Sequence, residues 1–342
     1  MSFDKPISFQ DALADAALWR NCDVVLLAGN GLSIAWDASR FGYQKLLEGV
    51  WSSLTPELQE MFEHFGTVNF ERVMHGLEDA HSVSETYGAS NALLSRLRDA
   101  VSEARSALVN AVHLHHPDDP SEVTEAQFIA SRRFLRPFRQ VFTTNYDLLL
   151  YWVINSRLYM QERFQDAFTN RGPGTTLLWS EGRPQTTHYL HGALHLVRRD
   201  KDDLEKLQWT AGKPIMTHVQ ELLNAGSVPL IVSEGESRAK EELIRNIPYL
   251  ASCFSALRQT SDPLFTFGFS FGDQDSHIRK AIVSSKCPEL YVGLHGGGRN
   301  LIRDAVDQMV QARRRLRARA SGSKHPPLMV TYYDALSANA WG

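Results

Sequence analysis

The fold is decided by residues 23–43, which read DVVLLAGNGLSIAWDASRFGY. Residues 24–28 form an unbroken apolar run, which predicts a strand buried on both faces of a parallel sheet. The run ends in Gly29-Asn30-Gly31. Glycines in such a turn let backbone N–H groups approach a ligand, and a helix that begins after them favours phosphate at its N-terminus. The stretch therefore predicts the first strand and the nucleotide-binding turn of an α/β fold.

This glycine turn matches neither of the common nucleotide motifs completely. Only Gly29 and Gly31 fit the pattern G-x-G-x-x-G, and no Gly-Lys-Ser/Thr follows as in a Walker A loop. An ordinary tight turn therefore stays open as an alternative. Nucleotide binding needs support from other segments of the chain.

Composition indicates a globular protein without a strong charge bias. The 342 residues are 43% hydrophobic and 22% charged, with a net charge of −3 at pH 7, which argues against a dedicated nucleic-acid-binding protein. Cys22, Cys253 and Cys287 lie far apart without a C-x-x-C pair, so we expect neither a cysteine zinc site nor a disulfide framework. No signal-peptide pattern and no apolar run of membrane-spanning length occurs, so we expect a cytoplasmic protein without membrane contact.

The hydrophobic pattern of the remaining chain predicts a doubly wound α/β fold with a helical insertion. Helical spacing of apolar residues fills residues 43–136, whereas short apolar runs alternate with helices from residue 137 onward. We predict a mainly parallel, Rossmann-like sheet of about six or more strands in residues 1–42 and 137–342, with residues 43–136 as an inserted helical subdomain. The later strands are predicted at 140–144, 188–190, 228–232, 264–267, 290–294 and 328–332.

Polar and glycine residues follow several of these strands directly. Because ligands of such sheets bind beyond the carboxyl ends of the strands, these residues are predicted to meet in one site. The segments are Gly29-Asn30-Gly31-Leu32-Ser33, Thr143-Thr144-Asn145-Tyr146-Asp147, His191-Gly192 and Gly268-Phe269-Ser270. A further polar segment, residues 233–237, lies at the same edge, and no chemical role follows from its sequence.

In order and spacing, these four segments resemble the sirtuin superfamily, and more closely the bacterial sirtuin-like domains of unknown function that form or accompany antiviral-defence NAD hydrolases. Sirtuins have a Gly-Ala-Gly-x-Ser turn, a Thr-Gln-Asn-x-Asp segment, a His-Gly pair with the catalytic histidine and a later Gly-x-Ser segment. The resemblance covers residues 23–294. The four-cysteine zinc module is missing, and residues 36–43 replace the Gly-Ile-Pro-x-Phe-Arg loop. The resemblance therefore implies NAD as a substrate and no zinc.

The resemblance also implies roles for three residues. His191 is predicted to act as general base for a water molecule or a ribose hydroxyl, since imidazole titrates near neutral pH. Asn145 is predicted to fix that nucleophile or the ribose. Asp147 is predicted to orient the nicotinamide amide, and a direct carboxylate role stays open. Plainer alternatives are a helix cap for Asn145 and a buried turn histidine for His191.

The predicted NAD-binding residues are Gly29, Asn30, Gly31, Ser33, Thr144, Gly268, Ser270 and Asp273. The turn residues are expected to receive the pyrophosphate through backbone N–H groups, and Ser270 and Asp273 to hold the adenosine ribose. Asp273 could equally cap the helix that follows it. No metal ligand is predicted, and the arginine-rich run 313–319 is interpreted as a solvated helix face.

The predicted function is hydrolysis of NAD+ to nicotinamide and ADP-ribose, or to a cyclised form. The resemblance further implies a gated effector of bacterial anti-phage defence that aborts infection by depleting NAD. We expect gating by homo-oligomerisation, by a hetero-complex with a separate sensor protein, or by the helical insertion covering the pocket. Two alternatives stay open: a non-catalytic NAD- or ADP-ribose-binding regulatory module, and an ADP-ribosyltransferase.

Overall fold

A parallel sheet of six strands organises the chain. The computed structural model describes residues 5–19, 22–156, 163–170, 176–198, 203–208, 213–225, 229–232, 244–296, 299–319 and 325–342. Its strands are β1 (Val24–Ala28), β2 (Phe138–Thr143), β3 (Phe168–Asn170), β4 (Leu177–Trp179), β5 (Thr187–Tyr189), β6 (Leu196–Arg198), β7 (Leu204–Lys206), β8 (Leu264–Phe267), β9 (Glu289–Leu294) and β10 (Met329–Asp334). The six-stranded sheet has the order β10-β9-β8-β1-β2-β5, and every neighbouring pair is parallel.

This order confirms the predicted doubly wound α/β fold. From β1 the chain moves outward through β2 to β5, then returns to the other side of β1 and moves outward through β8, β9 and β10. The strand order therefore reverses between β1 and β8. In open α/β sheets such a reversal opens a crevice at the carboxyl ends of the two strands, where ligands bind.

Strand β1 is buried on both faces, as its unbroken apolar run predicts. Leu26 and Ala28 belong to the hydrophobic core on one face of the sheet, whereas Val25 and Leu27 belong to the core on the other face. All four side chains have no measurable exposure. The alternation of side chains along a strand assigns them to the two cores.

Helices cover the sheet and fill the predicted insertion. They are α1 (Phe9–Ala16), α2 (Gly31–Trp36), α3 (Ala38–Phe41), α4 (Tyr43–Val50), α5 (Pro56–His64), α6 (Phe70–Thr86), α7 (Asn91–His115), α8 (Glu125–Leu135), α9 (Leu149–Asn155), α10 (Ile215–Asn224), α11 (Pro248–Gln259), α12 (Ser276–Ser284) and α13 (Arg299–Arg319). Among the residues described, none of these helices combines the length and apolar character that a bilayer crossing needs.

The stretch between β1 and β2 contains the helices α2 to α8 and no strand. Most of its buried apolar side chains belong to the hydrophobic cluster that also covers one face of the sheet. Phe134 of α8, for example, packs against Phe9 and Phe138 with ring centroids 5.5 and 5.8 Å apart. The insertion is thus anchored on the sheet through a common core. Its limits as a separate unit, 43–136, stay a prediction.

Two features of the fold differ from the sequence prediction. A second sheet, antiparallel with the order β3-β4-β7-β6, was not predicted, because its strands of three residues are too short to show a periodic pattern. The strand predicted at 228–232 is reduced, in its described part, to a single bridge between Ile231 and Gly192. Residues 233–237 lie outside the described residues.

The arginine run also departs from the predicted solvated face. Arg313 is fully buried, and its guanidinium donates hydrogen bonds to the carbonyl oxygens of Ile282 at 2.8 Å, Val283 at 2.6 Å and Pro326 at 3.0 Å. Two of these carbonyls belong to the last turn of α12, where the i+4 N–H donors of a helix run out; that of Ile282 also accepts the N–H of Ser285 at 3.2 Å. A cation there also favours the helix dipole. Arg313 therefore fastens α13 to the end of α12.

Two buried histidines predict how stability changes with pH. Burial lowers the pKa of His116 and of His188 from 6.5 to about 3. Between pH 3 and pH 6.5, the unfolded chain binds more protons than the folded chain. The free energy of unfolding therefore decreases as the pH falls below about 6.5. Near pH 3 these two histidines cause no further decrease. Each histidine contributes a slope of up to about 1.4 kcal/mol per pH unit.

Urea denaturation at pH 7.5 and pH 5.0 measures this loss of stability. Replacing His188, which accepts a hydrogen bond from Gln140, by the non-titrating His188→Gln should make the loss smaller. The same substitution at the exposed His64, His64→Gln, provides the matched control. Equal losses in the wild type and in His188→Gln would contradict the assignment.

Candidate functional site

A cavity of about 640 Å³ lies beyond the carboxyl ends of β1 and β8, where the strand order reverses. Its volume is in the range of small-molecule sites. Eight of the eleven predicted site residues line it: Asn30, Gly31, Thr144, Asn145, Asp147, His191, Gly268 and Ser270. The structure thus brings together residues that follow four different strands, as expected from the parallel topology.

Three predicted residues do not line the cavity. Gly29 and Ser33 lie behind its wall. The carboxylate of Asp273 is fully exposed and pairs with Arg279 at 2.8 Å. The neighbouring acid, Asp275, is buried and lines the cavity instead. The sequence indicated an acidic group after β8. Asp273 and Asp275 are the first and last residues of a short 3₁₀ helix, and because such a helix has three residues per turn, their side chains point in different directions.

The glycine turn does not offer the free amides that the sequence predicts for a pyrophosphate. The N–H groups of Gly29 and Gly31 donate to the carbonyl oxygens of Phe267 and Gly268, each at 2.9 Å, so this part of the prediction is corrected. The glycines are required for a different reason. A Cβ atom on Gly29 would lie 2.6 Å from the carbonyl oxygen of Gly268, and one on Gly31 would overlap the Gly268 Cα atom. Glycine allows the turns after β1 and β8 to pack together.

A chain of hydrogen bonds behind the cavity wall orients Asn145. The Nδ2 group of Asn145 donates to the hydroxyl of Ser33 at 2.8 Å, and this hydroxyl donates to Oδ2 of Asp147 at 2.5 Å. The other oxygen of Asp147 accepts the N–H of Leu149 at 2.9 Å, in the first turn of α9. The helix-capping role considered for Asn145 therefore belongs to Asp147.

This arrangement leaves the oxygen of the Asn145 amide buried, on a residue that lines the cavity. Oδ1 of Asn145 is buried and makes no hydrogen bond to any residue that the structure describes. Because the Ser33 hydroxyl gives its proton to Asp147, it can only accept from the amide of Asn145. The amide nitrogen therefore faces Ser33, and the oxygen lies on the other side. A buried acceptor without a donor costs about 1–3 kcal/mol. A hydroxyl or amide donor brought to this oxygen would remove that cost.

The carboxyl group of Asp147 is itself affected by its burial. Burial raises its pKa above the ordinary value of 3.8, and the hydrogen bonds from Ser33 and from the Leu149 amide partly oppose this rise. Both carboxylate oxygens already accept these bonds. Asp147 is thus held in one position at the wall of the cavity.

His191 lies in the turn after β5 and is only 2% exposed. The next residue, Gly192, has a φ of +74°, and a Cβ atom there would overlap the carbonyl oxygen of Leu230. The glycine therefore lets the turn bring the imidazole to the cavity. The ring of Tyr146 lies over it with a centroid distance of 6.4 Å.

Two residues that the sequence analysis missed accompany His191. Nε2 of His277, in α12, lies 2.9 Å from Nε2 of His191, and Oδ1 of Asp275 lies 3.7 Å from the same atom. The ligand atoms of the three side chains fall within 4.8 Å of one another, where the sequence predicted no metal ligands. The signal was present in the sequence as charged and polar residues soon after β8, but helix capping explained them equally well.

The helical insertion supplies one wall of the cavity. Leu46, Phe70, Glu71 and Leu108, from α4, α6 and α7, line it opposite the sheet edge. Oε1 of Glu71 accepts a hydrogen bond from the hydroxyl of Tyr146 at 2.7 Å. The insertion and the sheet therefore build the cavity together.

Comparison with known proteins identifies the family. The profile of a family described as a domain of unknown function, DUF4917, matches residues 26–341. The chain belongs to the DUF4917 family. Among curated proteins, no sequence matches it significantly. One solved structure, a mutant Sir2 homologue in complex with 2'-O-acetyl ADP ribose, is similar over 89% of this chain and 97% of that chain, with 12% identity and a TM-score of 0.33.

Proposed function

We propose that this DUF4917 protein hydrolyses NAD+ to nicotinamide and ADP-ribose in the cavity at the strand reversal. The observation that carries the proposal is the buried, unpartnered Oδ1 of Asn145 at the wall of that cavity. A ribose hydroxyl of NAD, or the attacking water, supplies the donor that this atom requires. The order of the four sequence segments that resemble sirtuins provides independent support.

In the proposed reaction, the bond between C1′ of the ribose and the nicotinamide nitrogen breaks, and its electron pair stays on nicotinamide. The oxygen of water bonds to C1′, and a water proton passes to His191 as general base. Asn145 holds the hydroxyl that it receives. Asp147 acts through Ser33 by keeping the amide of Asn145 in one orientation.

The same proposal assigns NAD contacts to the residues around the glycine turns. Asn30, Gly31, Thr144, Gly268 and Ser270 line the cavity and contact the dinucleotide, with Ser270 toward the adenosine ribose. Gly29 contributes by packing against Gly268 rather than by binding phosphate. Asp273 has no part in this site, because its side chain is exposed.

We further propose that the protein is a gated effector of bacterial anti-phage defence. Unrestrained NAD hydrolysis would be toxic to the cell that makes the enzyme, so activity has to depend on a trigger. A separate sensor protein or self-association provides that trigger in this proposal. The insertion is a candidate for the element that responds, because α4, α6 and α7 form a wall of the cavity.

Nicotinamide release from NAD+ tests the proposed function. The wild type is compared with His191→Ala and with the control His64→Ala, whose side chain is exposed on α5. Each is assayed as purified protein and in lysates of phage-infected cells. We expect release from the wild type and the control in at least one setting, and a decrease of about 100-fold or more in His191→Ala.

Two other outcomes would replace the proposal. Saturable NAD binding without nicotinamide release in either setting would establish the non-catalytic binding module. Transfer of label from radiolabelled NAD+ to a macromolecule, dependent on His191, would establish the ADP-ribosyltransferase. Undiminished hydrolysis by folded His191→Ala would remove His191 from the reaction.

A further inference from the structure

His116 joins the helical insertion to the segment that carries Asn145. It follows α7 directly and is only 4% exposed. Its Nε2 atom accepts the backbone N–H of Leu148 at 2.8 Å, and its Nδ1 atom lies 2.6 Å from the carbonyl oxygen of Pro117. Leu148 is three residues beyond Asn145 and one beyond Asp147. A side chain of the insertion is therefore bonded to the backbone of the segment that supplies the proposed NAD site.

The two hydrogen bonds define the protonation state of His116. A carbonyl oxygen only accepts hydrogen bonds, so Nδ1 carries the proton, and a backbone N–H only donates, so Nε2 carries a lone pair. The imidazole is thus neutral, in its Nδ1–H tautomer. Burial lowers its pKa from 6.5 to about 3, which keeps it neutral near pH 7. Phe41 and Trp152 pack edge-on against the ring, with centroid distances of 6.0 and 4.9 Å, and hold it in this orientation.

Further hydrogen bonds connect Leu148 to the amide of Asn145. Leu148 directly follows Asp147 and directly precedes α9, so its backbone sets the position of the Asp147 carboxylate. That carboxylate accepts the hydroxyl of Ser33, and this hydroxyl accepts the amide of Asn145. His116 does not line the cavity. It therefore acts on Asn145 through the backbone and these side chains, without touching a bound ligand.

We propose that His116 is a positioning residue through which the helical insertion holds Asn145 in place for NAD cleavage. Leu108 and Val112 of α7 line the cavity, and the N–H of His116 bonds to the carbonyl oxygen of Val112 at 2.8 Å, one helical turn away. Movement of α7 would therefore change the cavity wall and the position of Leu148 together. The effect on turnover rests on the proposed function, whereas the hydrogen bond from Leu148 exists without substrate.

Two substitutions that retain different hydrogen bonds of His116 test the proposal. In His116→Gln, the amide oxygen reaches the position of Nε2 and can accept the N–H of Leu148. In His116→Asn, the side chain is one methylene shorter, so it can donate to Pro117 but cannot reach Leu148. Leu94→Ala, at a buried position near the other end of α7 and away from the cavity, controls for loss of stability alone. Hydrogen exchange of the peptide that contains Leu148 is measured by mass spectrometry, together with nicotinamide release from NAD+.

We expect exchange of this peptide to be about 10-fold faster in His116→Asn than in the wild type, because a buried N–H loses its acceptor. We expect kcat for NAD+ to fall by about 10- to 100-fold, because Asn145 is displaced.

His116→Gln should recover most of both losses, and Leu94→Ala should affect both less than His116→Asn does. Equal exchange or equal kcat in His116→Asn and Leu94→Ala would overturn the proposal, as would a Gln variant no better than the Asn variant. If the wild type cleaves no NAD+, the exchange rates still test the bond to Leu148, so the failure of the proposed function is seen separately.

Discussion

Gly268→Ala is expected to lower the free energy of unfolding by about 3 kcal/mol or more. Gly268 has a φ of +65°, which alanine adopts only with strain, and its added Cβ atom would lie 2.5–2.7 Å from backbone atoms of Gly31 and Leu32. Backbone atoms cannot move aside as a flexible side chain can. The turns after β1 and β8 would have to separate, which would disturb the crevice at the strand reversal. Urea denaturation of the wild type and of Gly268→Ala, fitted with one common m value, measures the change in the free energy of unfolding.

Gly88→Ala separates the two causes of this destabilisation. Gly88 has a similar φ, +73°, but a Cβ atom added there, at the end of α6, would have no other atom within 4 Å. The control therefore carries the conformational cost alone, about 1–2 kcal/mol. Equal destabilisation by both substitutions would show that the close contact between the two turns is not as the structure has it.

Asn145→Ala is expected to reduce kcat for NAD+ cleavage by about 100-fold or more, because it removes the acceptor and the amide that hold the reacting group in position. Thermal unfolding should change much less than activity, since the lost hydrogen bond to Ser33 contributes about 1 kcal/mol. The rate of nicotinamide release and the melting temperature are measured on the same preparations. Wild-type turnover in Asn145→Ala would show that Oδ1 receives no part of the substrate.

Ser33→Ala provides a matched comparison for this prediction. The Ser33 hydroxyl lies behind the cavity wall and connects Asn145 to Asp147. Its loss frees the amide of Asn145 to rotate but leaves every side chain that lines the cavity in place. We therefore expect a smaller decrease in kcat than in Asn145→Ala. A larger decrease would assign a direct role to Ser33.

The sheet and the place of the site follow from short apolar runs in the sequence. Residues 24–28 form a continuous apolar stretch, and residues 264–267 form a stretch that is apolar except for Thr266. Both patterns are typical of a parallel strand that is covered on both faces. The glycine and polar residues after them therefore meet at the sheet edge, and Asn145 and His191 line one cavity. The turn at Gly29 and Gly31 was located correctly, but its amides donate to the neighbouring turn.

What the sequence could not provide are the contacts between distant segments. The pairing of His191 with His277 joins residues 86 positions apart, and no local pattern marks it. Asp273 and Asp275 are the two ends of one short 3₁₀ helix, and only Asp275 lines the cavity. Arg313 lies on the same buried face of α13 as Val306 and Met309, at helical spacing from them, whereas the next residue, Arg314, lies on another face. Helical spacing could have identified Arg313, had the arginine run not been assigned to solvent as a whole.

The central claim is that the cavity at the strand reversal holds the ribose of NAD against Asn145. A crystal structure of the protein with bound ADP-ribose tests it most directly. The account predicts ADP-ribose in the cavity, with a ribose hydroxyl donating to Oδ1 of Asn145 and with His191 beside the anomeric carbon. ADP-ribose bound elsewhere, or bound in the cavity with its ribose away from Asn145, would contradict it.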